Sequence, residues 1–228
     1  MVDFHTHILP DIDDGSASVD QTLQMLRLLA AQGVDTVVAT PHFSALQTTP
    51  ELFLQQRQAA FESVPQEAGL PRILLGAEVA YFNSMSRSEE LRQLKVGESD
   101  LLLVEMPFTT WTDRMIEDVC AISNQLALKP VLAHVERYLK RDQLLRYEDM
   151  LLDTMYFQCN AEAFLKGSKM MKWLAAGQVH FLGTDCHNMS RRKPNMDAAA
   201  GMIQKKLGQD VLEELQQFMK NALFGETE

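Results

Sequence analysis

The sequence predicts a parallel β/α barrel, on three observations. Seven short β-rich runs alternate with longer helical patterns along the 228 residues. The runs ILLGAEV, LLLVE and PVLAHV are nearly continuously apolar, as strands buried on both faces are. An open doubly wound sheet is the alternative, and its phosphate-binding form would carry GxGxxG after the first strand, which this chain lacks.

The strands are expected at residues 1–8, 36–40, 72–79, 101–105, 130–135, 155–159 and 179–183. Between the first two, Ser18 with Gln21 three residues on resembles a capping box. Val19, Leu23, Leu26 and Ala30 follow as one helical stripe, and Gly33 ends the helix. Further helices are expected at 52–67, 114–127, 142–152, 163–176 and 196–206, with a last one at 209–223 docking on the outside. No repeat, low-complexity tract or linker interrupts this alternation.

Composition narrows the classes. Hydrophobic residues make up 46% and charged residues 23%, enough apolar content to build a core. No run of about 18 apolar residues marks a membrane span, and the first residues lack the basic and apolar regions of a signal peptide. Twenty-one Lys and Arg against 31 Asp and Glu give a net charge of −10, which disfavours general nucleic-acid binding. Three irregularly spaced cysteines form no disulfide framework or CxxC zinc site. A cytoplasmic protein is expected.

The chemistry gathers at strand ends. The first strand carries His5 and His7, two apart and so facing one side. The second ends in His42, the third in Glu78, the fourth in Glu105 and the fifth in His134. The seventh gives Asp185 and His187, again two apart, and the loop after the first strand adds Asp11, Asp13 and Asp14. Five of the six histidines fall in this set; His180 alone sits at the opposite end of its strand. All such ends converge on one barrel mouth. Imidazoles and carboxylates crowded there would repel one another unless cations fill the space. Neutral imidazole with carboxylate suits Zn, Mn or Fe. Each residue alone has a blander role as a cap, turn or ion-pair partner; the ordered set points to metal.

The runs FHTHILPDIDDG, TPH, GAE, AHVER and GTDCHN resemble the PHP (polymerase and histidinol phosphatase) superfamily. Within it the chain looks like the bacterial manganese-dependent protein-tyrosine phosphatases of capsular and exopolysaccharide gene clusters. The resemblance covers nearly the whole chain as one phosphatase domain, residues 1–228. It implies a distorted (β/α)7 TIM-like barrel holding three divalent ions, manganese first and iron or zinc as alternatives. By motif position His5, His7, Glu78 and Asp185 surround one ion; Glu78, Glu105 and His134 hold a second; Asp14, His42 and His187 hold a third. Asp14 is taken as the last Asp before the glycine. Arg137 and Arg192 are expected to bind phosphate, as the family has Arg at both positions and a guanidinium can grip phosphate bidentately; Arg191 competes for the second role.

The activity implied is phosphotyrosine hydrolysis on a bacterial tyrosine autokinase, by attack of a metal-bridging hydroxide, without nucleic-acid partner or membrane insertion. The alternative is a small-molecule phosphatase related to histidinol phosphatase. A PHP nuclease module is disfavoured by the charge, and a non-catalytic metal domain by the intact ligand set. Cys186 to Arg192 has the C-x5-R spacing of cysteine-dependent tyrosine phosphatases, but the residues between lack glycine and Cys186 should point away from Asp185 and His187. Phe43, Tyr81, Phe82, Phe108 and Trp111 offer either an apolar wall for an aromatic ring or ordinary loop packing. The loops 47–50 and 106–113 are candidate selectivity loops.

Overall fold

The computed structural model describes residues 1–139 and 143–225. Asp142, expected to open a helix, lies outside them. All pairings between the named strands are parallel. The strands are β1 (Val2–Thr6), β2 (Thr36–Ala39), β3 (His42–Phe43), β4 (Arg72–Leu75), β5 (Glu78–Ala80), β6 (Leu101–Glu105), β7 (Lys129–Leu132), β8 (Tyr156–Asn160) and β9 (Phe181–Gly183). One sheet runs β1-β2-β4 and the other β3-β5-β6-β7-β8-β9. Backbone bonds close the ring just beyond β9: Asp185 N donates to His5 O at 2.7 Å, and His7 N to Cys186 O at 2.9 Å. A seven-staved barrel results, because β2 with β3 and β4 with β5 are each one stave broken in the middle.

Those breaks are differences from the sequence expectation. The run 72–79 does not form one strand; it bends at Gly76 and Ala77. The freed Gly76 carbonyl accepts a bond from Arg57 Nη1 at 2.7 Å, supplied by the buried Arg57 of the next-door helix. The two-residue β3 carries no periodic signal of its own. Its register sets His42 opposite Glu78.

The helices are α1 (Val19–Ala31), α2 (Pro50–Glu62), α3 (Asp113–Leu126), α4 (Gln143–Thr154), α5 (Ala161–Lys166), α6 (Ser168–Ala175), α7 (Met196–Leu207) and α8 (Gln209–Phe224). At α1, Ser18 Oγ accepts from Gln21 N, and Gln21 Oε1 accepts in return from Ala17 N, the capping box displaced by one residue. The expected helix 163–176 is instead two, parted at Gly167. Between β5 and β6 two short 3-10 turns replace a helix, which is the distortion of the barrel. The last helix, α8, docks at the N-terminal end of the barrel: Gln216 Oε1 accepts from Val2 N at 2.7 Å, and Phe218 packs on Tyr156 and Phe181. The interior is one apolar cluster, with Phe4 and Phe181 rings 4.0 Å apart. Among the described residues no helix is long and apolar enough to cross a membrane.

Candidate metal centre

His5 on β1 and His7, the first residue beyond it, stand two apart and reach the C-terminal mouth, both fully buried. Their outer nitrogens are anchored. His5 Nδ1 donates to Gln158 Oε1 at 3.2 Å, and His7 Nδ1 to Asp13 Oδ2 at 2.7 Å. Gln158 must present oxygen there, because the same atom accepts His134 N at 2.6 Å while its Nε2 donates to Asn160 Oδ1. Both Nε2 atoms therefore aim lone pairs inward, and they stand 3.1 Å apart. Glu78 Oε2 lies 3.2 Å from each, and Asp185 Oδ1 lies 3.7 and 3.5 Å from them. Lone pairs and carboxylates converging on one point require positive charge between them.

The cluster extends to both sides. Glu78 Oε1 is 2.8 Å from His134 Nε2, which is 3.2 Å from Glu105 Oε1. His42 Nδ1 is 3.1 Å from Glu78 Oε2, and Asp14 Oδ1 is 3.4 Å from the Nε2 of both His42 and His187. His187 Nδ1 donates to the Asp185 carbonyl at 3.0 Å, leaving a buried Nε2 without a hydrogen-bond partner. Potential ligand atoms within 4.8 Å of one another form three groups: His7, Asp14, His42 and His187; His5, His7 and Asp185; His42, Glu78 and Glu105. This grouping differs from the division expected from sequence in three ways: His7 joins Asp14, His42 and His187, Glu78 is not grouped with His5, His7 and Asp185, and His42 rather than His134 stands beside Glu78 and Glu105. All nine residues nonetheless share one network.

Electrostatics carry the same message. Burial opposes a charged His7, yet Asp13 and Glu78 raise it to about 10. Burial likewise opposes charge on His134, and Glu105 with Glu78 raises it to about 9. Glu78 is held well below the ordinary carboxylate range against burial by His5, His134 and His7. His187 moves the other way, to about 4, through burial and then through His7 and Arg192. Protons on imidazole thus stand where cations would balance the carboxylates. The orphaned Nε2 of His187, the facing Nε2 pair and the mixed donor set all fit divalent metal.

Backbone shape supports the site. Gly15 and Gly183 lie against the histidine strand: a Cβ at Gly15 would stand 2.2 Å from the His7 carbonyl oxygen, and one at Gly183 2.6 Å from His5 Cβ. His134 and Asp185 take positive φ, 33° and 53°, conformations that persist where surrounding structure enforces them.

Both arginines reach Asp185. Arg137 Nη2 pairs with Oδ2, and Arg192 Nη2 lies 2.6 Å from Oδ1. Asn160 Nδ2 donates to Oδ2 at 2.8 Å. The two arginine side chains are 35% and 38% exposed, so they stand between the buried cluster and solvent.

Sequence reasoning passed over three supporting residues. Asp13, set aside for Asp14, orients His7 and also accepts from Gly15 N and His42 N. Gln158 and Asn160 sit two apart on β8 and face the mouth, the same spacing that marks His5 and His7. Cys186 is buried, with its thiol pushed well above its usual range by burial and by Asp3. Its thiol interacts with Thr184 and faces the charge of Asp3. Of the five aromatic candidates, Phe43 is buried against Phe53, Trp111 is buried with Nε1 donating to Pro107 O, and Tyr81 and Phe82 are half-buried. Phe108 is exposed and stacks on His134 with centroids 6.0 Å apart.

The family model for capsular polysaccharide synthesis, CpsB/CapC, matches residues 1–223. The chain belongs to the CpsB/CapC family. Its CpsB/CapC relatives include the tyrosine-protein phosphatase CpsB of Streptococcus pneumoniae, 31% identical over 94% of each chain. CpsB of Streptococcus agalactiae is 30% identical over 97% of this chain and 96% of its own. Tyrosine-protein phosphatase YwqE of Bacillus subtilis is 26% identical over 92% of this chain and 87% of its own. Among solved structures, the YwqE and CpsB work on metal-dependent tyrosine phosphatases gives a chain with TM-score 0.85 and 22% identity, covering 100% of this chain and 96% of that one. That likeness establishes the CpsB/CapC fold as the one described above.

Proposed function

We propose that this chain is a metal-dependent phosphotyrosine-protein phosphatase that acts on a bacterial tyrosine autokinase in capsule or exopolysaccharide control, in the cytoplasm. Family membership supports the capsule setting, and the names of the CpsB and YwqE relatives support the reaction. The observation that carries the reading is the pair Arg137 and Arg192 converging on Asp185 at the rim of a buried imidazole and carboxylate cluster.

His5, His7, Asp14, His42, Glu78, Glu105, His134, Asp185 and His187 would hold three ions, with manganese as the proposed metal. When bound, divalent ions lower the pKa of water and neutralise phosphoryl oxygens. The chain's own residues do the rest. Arg137 and Arg192, partly exposed and already fixed by Asp185, turn their remaining N–H groups to the equatorial oxygens of an incoming phosphomonoester. Asn160 keeps the Asp185 carboxylate from rotating as the arginines take this second partner. Water adds to phosphorus, the P–O bond to the aryl group breaks, and the phenolate leaves to be protonated. Because a phenol has pKa of about 10, it departs with less protonation than an alkyl alcohol requires.

Protein reconstituted with Mn²⁺ and offered a phosphotyrosine peptide, histidinol phosphate and single-stranded DNA at matched concentration tests the proposal. The peptide should have the highest kcat/KM. A higher value for histidinol phosphate would move the assignment to the small-molecule phosphatases.

A further inference from the structure

The net charge of −10 is unevenly spread. Residues 163–209 hold eight Lys and Arg against two Asp, a surplus of six positive charges. The rest of the chain holds thirteen against twenty-nine. The basic stretch builds two adjoining depressions. One, of about 460 Å³, opens beside the site: Arg137, Lys166 and Lys169 line it with Asn160 and two carboxylates, Glu136 and Glu162, the second of them paired with Lys166, so its net charge is positive by one. The other, of about 540 Å³, has an apolar floor that includes Phe164, Met171 and Met202, framed by Lys166, Lys172 and Lys206 with no acidic lining residue. Lys166 and Gly167 line both, so the two join where α5 meets α6. A Cβ added at Gly167 would meet nothing within 4 Å, so the junction is open.

We propose that this track docks the acidic segment flanking the phosphotyrosine of a protein substrate, with an apolar side chain of that segment seated between α6 and α7. The inference rests on the phosphotyrosine phosphatase reading of the site. Three features select this occupant. The track starts at Arg137, the proposed phosphate-binding residue, so chain leading away from a bound phosphoester enters it directly. Its ammonium groups lie exposed on helices, where charge steers association more than it stabilises the fold. The remaining surface is strongly acidic and repels an acidic peptide elsewhere. Concave depressions beside a recessed guanidinium also suit an extended segment better than a flat layer of lipid headgroups.

The test uses Mn²⁺-loaded protein and two fluorescent peptides bearing a non-hydrolysable phosphonate analogue of phosphotyrosine, one flanked by Asp and Glu, the other by Ser and Gln. Anisotropy should give roughly tenfold tighter binding of the acidic peptide at low salt, shrinking as salt rises. The triple variant K169E/K172E/K206E, all exposed positions, should bring the acidic-to-neutral ratio to one or below. An acidic-to-neutral ratio near one in the parent, or unchanged in the variant, overturns the proposal. A variant that loses binding to phosphatidylglycerol vesicles while keeping the peptide ratio overturns it in favour of a lipid surface. Phosphate release from the phosphotyrosine forms of both peptides is read separately. No release with the affinity ratio intact removes the phosphatase assignment and leaves the docking track standing.

Discussion

Replacing Asp13 by Ala removes an acceptor shared by three donors: His7 Nδ1 at 2.7 Å, Gly15 N at 2.9 Å and His42 N at 3.0 Å. The first fixes the His7 tautomer and the third fixes the backbone that carries His42, so two proposed ligands lose their support together. A carboxylate behind a metal-binding histidine is typically worth about 10- to 100-fold in metal affinity, or roughly 1.4–2.8 kcal/mol. With a second ligand affected, D13A should fall at the upper end, about 100-fold weaker. D13N separates charge from geometry. Every partner is a donor, so its amide nitrogen must face one of them. Placing oxygen towards His7 and His42 leaves the NH₂ against Gly15 N, which predicts a loss near the lower end, about tenfold. Competition between the protein and a fluorescent chelator for Mn²⁺ measures all of this. D11A is the control, because Asp11 is exposed and outside the cluster. Asp13 would not be the orienting residue if D13A bound Mn²⁺ within about twofold of the parent, well short of the effect such partners produce.

Arg137→Ala should lower kcat/KM for a phosphotyrosine peptide by about 10²- to 10³-fold, with Arg137→Lys recovering little because an ammonium lacks the planar fork. Full recovery by Lys would argue against bidentate phosphate binding. Cys186→Ala should keep kcat/KM within a few-fold of the parent, whereas a loss of about a thousandfold would favour a thiolate nucleophile after all. His180 is driven down to about 4 by burial and by Lys129, and its neutral Nδ1 accepts Phe157 N at 3.2 Å. Its folded pKa lies below the unfolded value of about 6.5, so its stabilising effect is complete above that pH and lost as pH falls towards 4, by about 1–2 kcal/mol after discounting for partial exposure. Urea titrations of the metal-loaded protein at pH 7.5 and 5 should show that H180N, whose Oδ1 can replace Nδ1, loses less stability than the parent; equal losses would refute the assignment.

The barrel could be read from apolar runs because burial on both faces leaves a continuous signature in the sequence. That same continuity hides the break at Gly76. ILLGAEV reads as one strand, and the bend is set by Arg57, nineteen residues away, together with the pairing of Glu78 with β3. The single glycine at 167 parts two helices whose apolar patterns run on in phase, so periodicity alone joins them. At the site, imidazoles and carboxylates stand out because nothing ordinary explains so many at strand ends. Amides do not stand out in this way, and Gln158 and Asn160 were therefore silent. The choice among Asp11, Asp13 and Asp14 was not local either. Asp11 turns outward at φ 55°, Asp13 closes onto Gly15, and Asp14 reaches His42 and His187, an order settled by how tightly the loop packs on His7.

Regular alternation brings His5 and Glu105 to the mouth, and departures from regularity add several of the other proposed ligands. The break between β2 and β3 lets His42 lie opposite Glu78. The break between β4 and β5 turns Glu78 inwards, where one carboxylate meets His5, His7, His42 and His134. Positive φ at His134 and Asp185 bends the chain immediately after a strand, at a cost of about 1–3 kcal/mol each. Those bends are held from behind: Gln158 binds both His134 N and His5 Nδ1, and the His5 carbonyl takes Asp185 N. His5 is therefore tied to both strained residues, to one through its ring and to the other through its backbone. A cation drawn to any part of this cluster reinforces the geometry of the rest, so metal binding and the integrity of the barrel mouth should be gained and lost together.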